Sequence, residues 1–285
     1  MVSNPFSFSS DEKRAVYRAI AERRDMRHFN GQPVDQDVLS RILIAGHQAP
    51  SVGLMQPWRF IRITEQELRQ QIHHLVQQER LLTAEALGDR KEQFLRLKVE
   101  GILQCSELIV AALSAKRDEH LFGRRTMPEM DLASLACAIQ NIWLAARAEG
   151  IGMGWVSLFE PNDLMKLLNM PEGSQPVAIL CIGHVDEFYP EPMLEMERWT
   201  KGRELSELIC ENSWDNFKIA GAPIGSLKFL GSKEESMACA LRRDGVTDSG
   251  NIEASKYTLP IKHAAYKKSF APFMGQKRET QPTQL

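Results

Sequence analysis

The sequence predicts a layered fold of the α/β or α+β class, and three observations carry this prediction. Two largely apolar runs, Ser106–Ser114 and Pro176–Gly183, have the composition of strands that are buried on both faces. A long helical pattern runs from Asp131 to Gly150. Predicted strands and helices alternate along the chain, which is typical of layered folds and excludes a helix bundle or a sandwich.

Composition sets the class of protein. The chain has 285 residues, a formal net charge of -2 and 43% hydrophobic residues, which is enough to bury a sizeable core. The near-neutral charge gives no reason to expect a nucleic-acid or anionic-membrane partner. The beginning of the chain has no secretory pattern, and no apolar run is long enough to span a membrane. We therefore expect a cytoplasmic protein. The five cysteines lack metal-ligand spacing, so no metal is predicted.

In the first hundred residues, the sequence predicts helices before and after a single strand. A helix begins at Ser9 or Ser10, where acidic residues follow a capping hydroxyl. A second helix runs from Asp35 to Gly46, and a strand covers Arg59–Ile63. Residues 65–101 are helical and highly charged, with a break at Gly88, and form either a surface pair of helices or a lid over a site.

The second half predicts further elements in alternation. Residues 117–130 form a loop, and the helix after them is apolar on nearly all sides, so it packs in a large core or against a partner subunit. A strand with a tight corner covers Ile151–Ser157, and a helix covers Glu204–Ile209. We expect one domain over 1–216 and a partly disordered extension over 217–285, to which no chemistry is assigned.

Three arginines at the end of the first helix suggest a site for a phosphate. Arg23, Arg24 and Arg27 lie within five residues, and planar guanidinium groups match phosphate oxygens. A solvated helix face is the alternative. The loop Ala49–Trp58, which holds Ser51 and Gln56, can bring backbone N–H groups close to a flat ligand. Together these features predict a phosphorylated cofactor.

The remaining candidates have two interpretations each. Asp25 forms a surface salt bridge or is a proton acceptor kept ionised by its cationic neighbours. Gly154 allows a close backbone approach to a ligand or a tight packing corner. Ser157 has no evident His–Asp partner, so it is predicted to donate to a ligand rather than to act as a nucleophile. Arg203 completes the phosphate site or lies at a solvated helix end.

Several motifs resemble the nitroreductase-fold flavoproteins and, among them, the 5,6-dimethylbenzimidazole synthase family. The motifs are Arg23-Arg24-Asp25-Met26-Arg27, the segment Ala49–Trp58, Pro128-Glu129-Met130-Asp131, Gly154-Trp155-Val156-Ser157 and Ala178–Phe188. They occur in order over about residues 10 to 215. General nitroreductases usually carry Ser where this chain has Asp25. The combination of Asp25 with the Gly154–Ser157 segment favours the synthases.

The resemblance implies an α+β fold with a central mixed sheet flanked by helices. It also implies a homodimer with FMN at the interface, and an unusual reaction in which reduced FMN is the substrate. Dioxygen is consumed, the flavin ring system is fragmented to 5,6-dimethylbenzimidazole, the lower ligand of vitamin B12, and part of the ribityl phosphate leaves as erythrose 4-phosphate. A flavin reductase using NAD(P)H would supply the reduced FMN.

The resemblance also implies roles for individual residues. Arg23, Arg24 and Arg27 would bind the phosphate and ribityl end, and Arg203 would approach the phosphate from a distant part of the chain. Ser51 and Gln56 would lie along the ring and ribityl chain. Asp25 would be the acid/base group that breaks the ribityl–ring bonds, and Ser157 would lie near the ring edge at which oxygen reacts. The complete set of positions for which the resemblance implies a cofactor contact is Arg23, Arg24, Asp25, Met26, Arg27, Ser51, Gln56, Gly154 and Arg203.

Two other functions are compatible with a flavin site. The chain could be an NAD(P)H-dependent nitroreductase, flavin reductase or cob(II)yrinate reductase that recycles its FMN, or a flavin-binding protein without enzymatic activity. A cycling enzyme or a carrier should tolerate Asp25→Asn. The synthase should lose its product and keep FMN binding, with residues 65–101 closing over the substrate.

Overall fold

The computed structural model describes residues 4–214 of the chain. All of them belong to one compact unit, Met1–Cys239, and a second unit, Ala240–Leu285, lies outside the described residues. The predicted boundary at 216 and the predicted extension over 217–285 also lie outside the described residues. No helix within residues 4–214 is both long and apolar enough to cross a membrane.

In the described part of the chain, four strands form one sheet in the order β1-β2-β4-β3. They are β1 Trp58–Ile63, β2 Glu107–Leu113, β3 Gly152–Val156 and β4 Gln175–Gly183. All three pairings between them are antiparallel. A single parallel bridge joins Asp25 to Met153 at the β3 edge. The α+β architecture is therefore as predicted, and the parallel component of the expected mixed sheet is confined within residues 4–214 to this one bridge.

The central strand β2 is buried along its whole length, as its continuous apolar run predicts. Successive side chains point to opposite faces of the sheet. Ile109, Ala111 and Leu113 join a core cluster with two of the helices, while Leu108 and Val110 join a second cluster on the other face. The sheet is thus a middle layer between two layers of helices.

Seven α-helices surround the sheet in the described part of the chain: α1 Ser10–Glu22, α2 Gln36–His47, α3 Gln66–Ala86, α4 Lys91–Arg96, α5 Met130–Ala148, α6 Pro161–Leu167 and α7 Met193–Met196. Helices α2 and α5 cover one face, whereas α3 and α6 cover the other. The predicted break at Gly88 is a 3-10 turn, Gly88–Arg90, between α3 and α4. Ser9 caps α1 in a capping box with Glu12, as its sequence predicts.

The prediction of a helix over Glu204–Ile209 is wrong. Only a 3-10 turn forms there, over Leu205–Glu207, and its N-cap residue Glu204 has extended backbone and no side-chain cap bond. The apolar side chains of this segment are exposed, Leu205 by 51% and Leu208 by 55%. Short helices depend on packing for stability, and none of the core clusters found among residues 4–214 includes this segment.

Two helices leave apolar surface uncovered. None of the residues of α1 is buried by the rest of the chain, although Val16, Tyr17 and Ile20 lie on it. The inner face of α5 is fully buried, whereas Leu132, Ala133 and Cys137 on its outer face are exposed. The sequence leaves open whether α5 packs in a core or against a partner; its inner face packs in the core.

Candidate active site

The segment that follows α1 attaches to the sheet at β3. The backbone N–H of Met26 donates to the Met153 carbonyl at 2.9 Å, which places Asp25 and Arg27 beside the last residues of the strand. A Cβ atom at Gly154 would overlap the Met26 carbonyl and would lie 2.6 Å from Arg27 Nη1. Gly154 is therefore needed for this tight packing corner, while its predicted approach to a ligand stays a prediction.

Both carboxylate oxygens of Asp25 are bound. The Trp155 backbone N–H donates to Oδ1 at 2.9 Å, and Arg27 Nη2 donates to Oδ2 at 2.5 Å. The same Arg27 nitrogen also donates to the Trp155 carbonyl at 2.9 Å. The carboxylate is thus held in one orientation by the backbone of a single strand residue and by one guanidinium group.

The ionisation of Asp25 is set by opposing effects. Burial raises the pKa of the Asp25 carboxyl above its ordinary value, while the Arg27 charge, the Trp155 N–H and the Arg23 charge all act to lower the pKa. The burial effect is the largest, so the net direction of the pKa shift is upward. A raised carboxyl pKa is typical of groups that exchange protons in enzymes.

Asp25 and Ser157 open onto the same pocket. The pocket has a volume of about 210 Å³. Its remaining walls are largely apolar and come from the end of β3, from α4 and the residues after it, and from α7 with the residues after it; they include Phe94, Leu97, Val99, Met193, Leu194 and Trp199. The predicted role of residues 65–101 as a lid stays a prediction, with three of their side chains in the wall.

A cation–π contact joins two walls of the pocket. The Arg90 guanidinium carbon lies 3.4 Å from the centroid of the Trp199 ring, and Arg90 Nη2 donates to the Trp199 carbonyl at 2.8 Å. Phe94 lies against the same ring, with the ring centroids 6.0 Å apart. The segment after α7 and the α4 segment therefore enclose the pocket together.

The three clustered arginines have different surroundings. The Arg23 guanidinium carbon lies 4.5 Å from the centroid of the Trp143 ring on α5, and no side-chain hydrogen bond from Arg23 is found within residues 4–214. Arg24 donates to the carbonyls of Ala21, Arg23 and Pro190, and its Nε atom is buried with no hydrogen-bond partner in the described structure. The N–H donors of the Arg23 guanidinium are thus more available to a ligand than those of Arg24.

Arg27 and Met26 are both buried, unlike ordinary ligand-binding side chains. Arg27 is only 7% exposed, and two of its nitrogens, Nε and Nη1, are buried without a hydrogen-bond partner in the described structure. Met26 is 1% exposed, so its side chain belongs to the core. The predicted cofactor contacts of these two residues stay predictions; what the structure places beside Asp25 is the Arg27 guanidinium.

The predicted ring-binding loop stands at the other end of α5. Val52 N donates to Ser134 Oγ at 3.0 Å, whereas Trp143 Nε1 donates to the Arg24 carbonyl at 3.1 Å. These two contact residues are nine positions apart on one helix, which is about 13 Å along its axis. Ser51 Oγ accepts a hydrogen bond from Gln56 N at 3.0 Å and so closes the loop.

The loop backbone is unusual, because Gly53, Leu54 and Gln56 all have positive φ angles, 53°, 53° and 47°. Such angles are strained for leucine and glutamine, and strain of this kind is common at functional sites. Leu54 is 80% exposed at the tip of the loop. Ser51 and Gln56 are therefore brought together with each other, but the described contacts do not bring them to Asp25.

Arg203 lies apart from the other candidates. Its side chain is 62% exposed, and its described hydrogen bonds go to the Glu207 side chain at 3.2 Å and the Glu207 carbonyl at 3.3 Å. Within residues 4–214, neither a hydrogen bond nor an ion pair joins it to the Arg23–Arg27 segment. Its predicted role at a phosphate stays a prediction.

Sequence reasoning does not single out Tyr189, which supports the site from the side opposite to β3. Tyr189 Oη accepts from the Arg27 backbone N–H at 3.2 Å and lies 2.6 Å from His28 Nδ1. Burial raises the pKa of the Tyr189 hydroxyl. A lone tyrosine after a strand gives no signal of such a role, because 162 residues separate it from Arg27 in the chain.

No group of three or more potential metal ligands is found among residues 4–214. The chemistry available at the site is therefore that of one oriented carboxylate, one exposed hydroxyl, Ser157, and nearby guanidinium groups.

Comparison with known proteins identifies the family of the chain. The nitroreductase family model matches residues 20–184. The 5,6-dimethylbenzimidazole synthase of Rhodospirillum rubrum is 38% identical over 183 residues, which cover 64% of this chain and 87% of that protein. A Rhodobacter capsulatus protein of the same name is 37% identical over 198 residues, which cover 68% and 94%.

Solved structures with the same fold include a BluB-like flavoprotein from Clostridium difficile, with a TM-score of 0.55 and 16% identity over 73% of this chain and all of the other. An iodotyrosine deiodinase bound to FMN and 3-iodo-L-tyrosine has a TM-score of 0.53 and 22% identity over 62% of this chain and 92% of the other. At these identities the structures support the fold alone. The matched family model spans more than half of the chain, and the chain belongs to the nitroreductase family.

Proposed function

We propose that the chain is a 5,6-dimethylbenzimidazole synthase. It consumes reduced FMN and dioxygen and releases 5,6-dimethylbenzimidazole, and erythrose 4-phosphate forms from the ribityl phosphate. The similarity to the Rhodospirillum rubrum and Rhodobacter capsulatus synthases supports this proposal, since it extends over 87% and 94% of their lengths. General membership of the nitroreductase family would leave the reaction open.

The observation that carries the proposal is the Asp25 carboxylate in the wall of a small, largely apolar pocket. One oxygen is fixed by the Trp155 N–H and the other by Arg27. The Asp25 side chain is still 42% exposed, so it can contact a substrate that binds in the pocket. A carboxylate that is oriented and partly desolvated can exchange a proton with the ribityl side of the substrate when the ribityl–ring bonds break.

The residues present fit a flavin phosphate. Reduced FMN would supply the ring that reacts with oxygen, while this chain supplies the charges and donors around it. Arg23 lies over Trp143 with its donors unengaged by residues 4–214, and the Nε atom of Arg24 is buried without a partner in the same region. A doubly charged phosphate would satisfy such donors. Ser51 and Gln56 would lie along the ring and ribityl chain.

Ser157 and the pocket walls would control what surrounds the ring edge. Ser157 is exposed at the end of β3 and lines the same pocket as Asp25, so its hydroxyl can donate to an oxygen atom at that edge. The aromatic and aliphatic walls from α4 and from residues 193–199 would exclude water from the reacting atoms.

A homodimer would complete the site. The pocket of about 210 Å³ is smaller than the roughly 300–1,000 Å³ that is usual for a ligand site, so one chain offers only part of the surface. The uncovered apolar residues of α1 and of the outer face of α5 offer a surface for a second copy. In such a dimer, the Ser51–Gln56 loop of one subunit would face Asp25 of the other.

The remaining assignments concern the setting of the enzyme. Reduced FMN would come from a flavin reductase that uses NAD(P)H, and the reaction would take place in the cytoplasm, with no nucleic-acid or membrane partner. The near-neutral net charge supports the absence of polyanionic partners.

The test is an aerobic incubation of the purified chain with chemically reduced FMN, followed by mass spectrometry of the products. We expect 5,6-dimethylbenzimidazole to appear as FMN disappears. Intact oxidised FMN with no product would contradict the synthase. NAD(P)H oxidation in the presence of FMN would then identify a reductase that recycles its flavin, and the absence of that activity would identify a flavin carrier.

A further inference from the structure

We propose that Arg27 is a positioning residue for Asp25 and does not bind the phosphate group. The inference rests on the proposed function, in which Asp25 exchanges a proton with the substrate. It separates Arg27 from Arg23 and Arg24, with which the sequence groups it as one cluster.

The first argument is the direction of the side chain. Arg27 and Asp25 are two residues apart in a segment that pairs with β3 as a strand does, so their side chains project to the same side. The Arg27 side chain is 9% exposed and the Asp25 side chain 42% exposed. Both residues line the pocket, and the Arg27 side chain is the more deeply enclosed of the two, whereas the Asp25 carboxylate is the more accessible.

The second argument is the bonding of the guanidinium. Nη2 bridges Asp25 Oδ2 and the Trp155 carbonyl, while the Trp155 N–H holds the other carboxylate oxygen. This arrangement forms a closed frame around one carboxylate from three groups. A phosphate ligand would instead need at least two donors directed at an open surface.

The third argument is the cost of placing Arg27 there. Nε and Nη1 are buried without partners in the described structure, which is unfavourable for a charged group. The chain accommodates this group by omitting a side chain at Gly154, where a Cβ atom would lie 2.6 Å from Nη1. A buried, incompletely bonded cation next to a carboxylate is expected where the carboxylate must stay ionised despite burial.

The charged and titratable groups around Asp25 are few, so the contribution of Arg27 can be measured. Arg23 and Arg27 on the same segment lower the pKa of Asp25. Tyr189, from the segment after β4, lies close enough to be influenced by the Asp25 charge. The α4 residues and residues 193–199 that line the pocket are apolar. Loss of the Arg27 charge should therefore leave the effect of burial weakly opposed.

The test compares Arg27→Met with Arg23→Met in the full-length chain. The Asp25 carboxyl is titrated by NMR of protein labelled with carbon-13 at aspartate, and its signal is assigned by its absence from Asp25→Asn protein. We expect Arg27→Met to raise the Asp25 pKa by about 1–3 units, the effect of a neighbouring cation. The acid limb of the pH profile for product formation should move to higher pH in the same variant, because the proton acceptor must be ionised.

The second readout is the preference for FMN over riboflavin, which differ by the phosphate, measured by titration calorimetry. Arg27→Met should keep this preference, whereas Arg23→Met should reduce it at least tenfold, the usual effect of losing one charge-assisted hydrogen bond. Arg27→Lys retains the cation and should show a smaller rise in the Asp25 pKa; it also serves as the test if Arg27→Met does not fold.

An unchanged Asp25 titration, or a loss of FMN preference in an Arg27 variant equal to that of Arg23→Met, would overturn the proposal. Both readouts are independent of product formation. A wild-type chain that forms no 5,6-dimethylbenzimidazole contradicts the proposed function, and the titration and the two flavin affinities still decide the role of Arg27.

Discussion

The two segments to which flavin contacts are assigned, residues 23–27 and residues 51–56, are supported in opposite ways. The first is joined to β3 by a parallel bridge, and its carboxylate is bound on both oxygens. The second is a loop closed on itself through Ser51, with three positive φ angles and an 80% exposed leucine at its tip. The Asp25 carboxylate, which we propose exchanges a proton, is thus held in place within one chain, whereas the loop is exposed at its tip.

This difference suggests which part of the site needs a second subunit. Both segments are fixed to α5, about 13 Å apart along its axis, and the outer face of that helix is uncovered between them. A ligand that contacts both segments of one chain would have to run along this uncovered face. A two-fold dimer across the same face would instead bring the loop of one chain towards Asp25 of the other.

The largest expected effect on product formation comes from substituting one residue in each segment and placing the two substitutions in different chains of a dimer. Homodimers of Asp25→Asn and of Ser51→Trp, which fills the loop surface, should each lose about 10²–10⁴-fold in product formation, the range for removing an acid/base group. A heterodimer of the two variants, purified with two affinity tags, should regain one intact site and about half of the wild-type activity.

The matched control carries both substitutions in one chain and pairs it with a wild-type chain. If each site combines Asp25 of one subunit with the loop of the other, this heterodimer has no intact site and should be inactive. The opposite pattern, an active control and an inactive mixed heterodimer, would show that each site lies within one chain.

A smaller effect, on stability, is expected from a substitution at Gly154, where residues 23–27 pack against β3. Gly154→Ala adds a Cβ atom against the Met26 carbonyl and Arg27, and the resulting overpacking should lower the free energy of unfolding by about 1–3 kcal/mol. Gly202→Ala is the matched control, because the added atom meets only the Glu195 side chain, at 3.1 Å. Urea denaturation measures both; equal stability of the two variants would contradict the close approach at Gly154.

The smallest effect is expected at Arg203. The Arg203 guanidinium donates to Glu207 and its side chain is mostly exposed, so Arg203→Ala should change the free energy of unfolding by less than about 0.5 kcal/mol. Its FMN affinity, measured by calorimetry, should fall less than that of Arg23→Ala. An equal fall would make Arg203 a principal phosphate ligand and would extend the site beyond the two segments.

The sequence predicts the layered fold well because burial patterns are local. The apolar runs at β2 and β4 and the long helix α5 are recognisable within the segment itself. The prediction of a helix over Glu204–Ile209 is wrong because its local pattern has no core to pack against, which depends on distant parts of the chain. Helix formation in such short segments is a tertiary property.

The site can be predicted in part. The sequence singles out Asp25 and Ser157 separately, and the structure brings them to one pocket. The pairing of Asp25 with Arg27 follows from a spacing of two in an extended segment, but the sequence suggests a cluster of three arginines at a helix end. The support from Trp155 and Tyr189 is not predictable, because it depends on contacts across 130 and 162 residues.

The most direct measurement is a single aerobic turnover of reduced FMN by wild-type, Asp25→Asn and Asp163→Asn protein. The amount of 5,6-dimethylbenzimidazole formed and the amount of FMN lost are measured in the same sample. Asp163 is the matched control, since this exposed aspartate pairs only with Lys166 in the described structure. We predict product in proportion to FMN lost for the wild type and Asp163→Asn, and none above background for Asp25→Asn although it still binds FMN. An equal amount of product from Asp25→Asn and wild-type protein would contradict the proposed role of Asp25 in proton exchange.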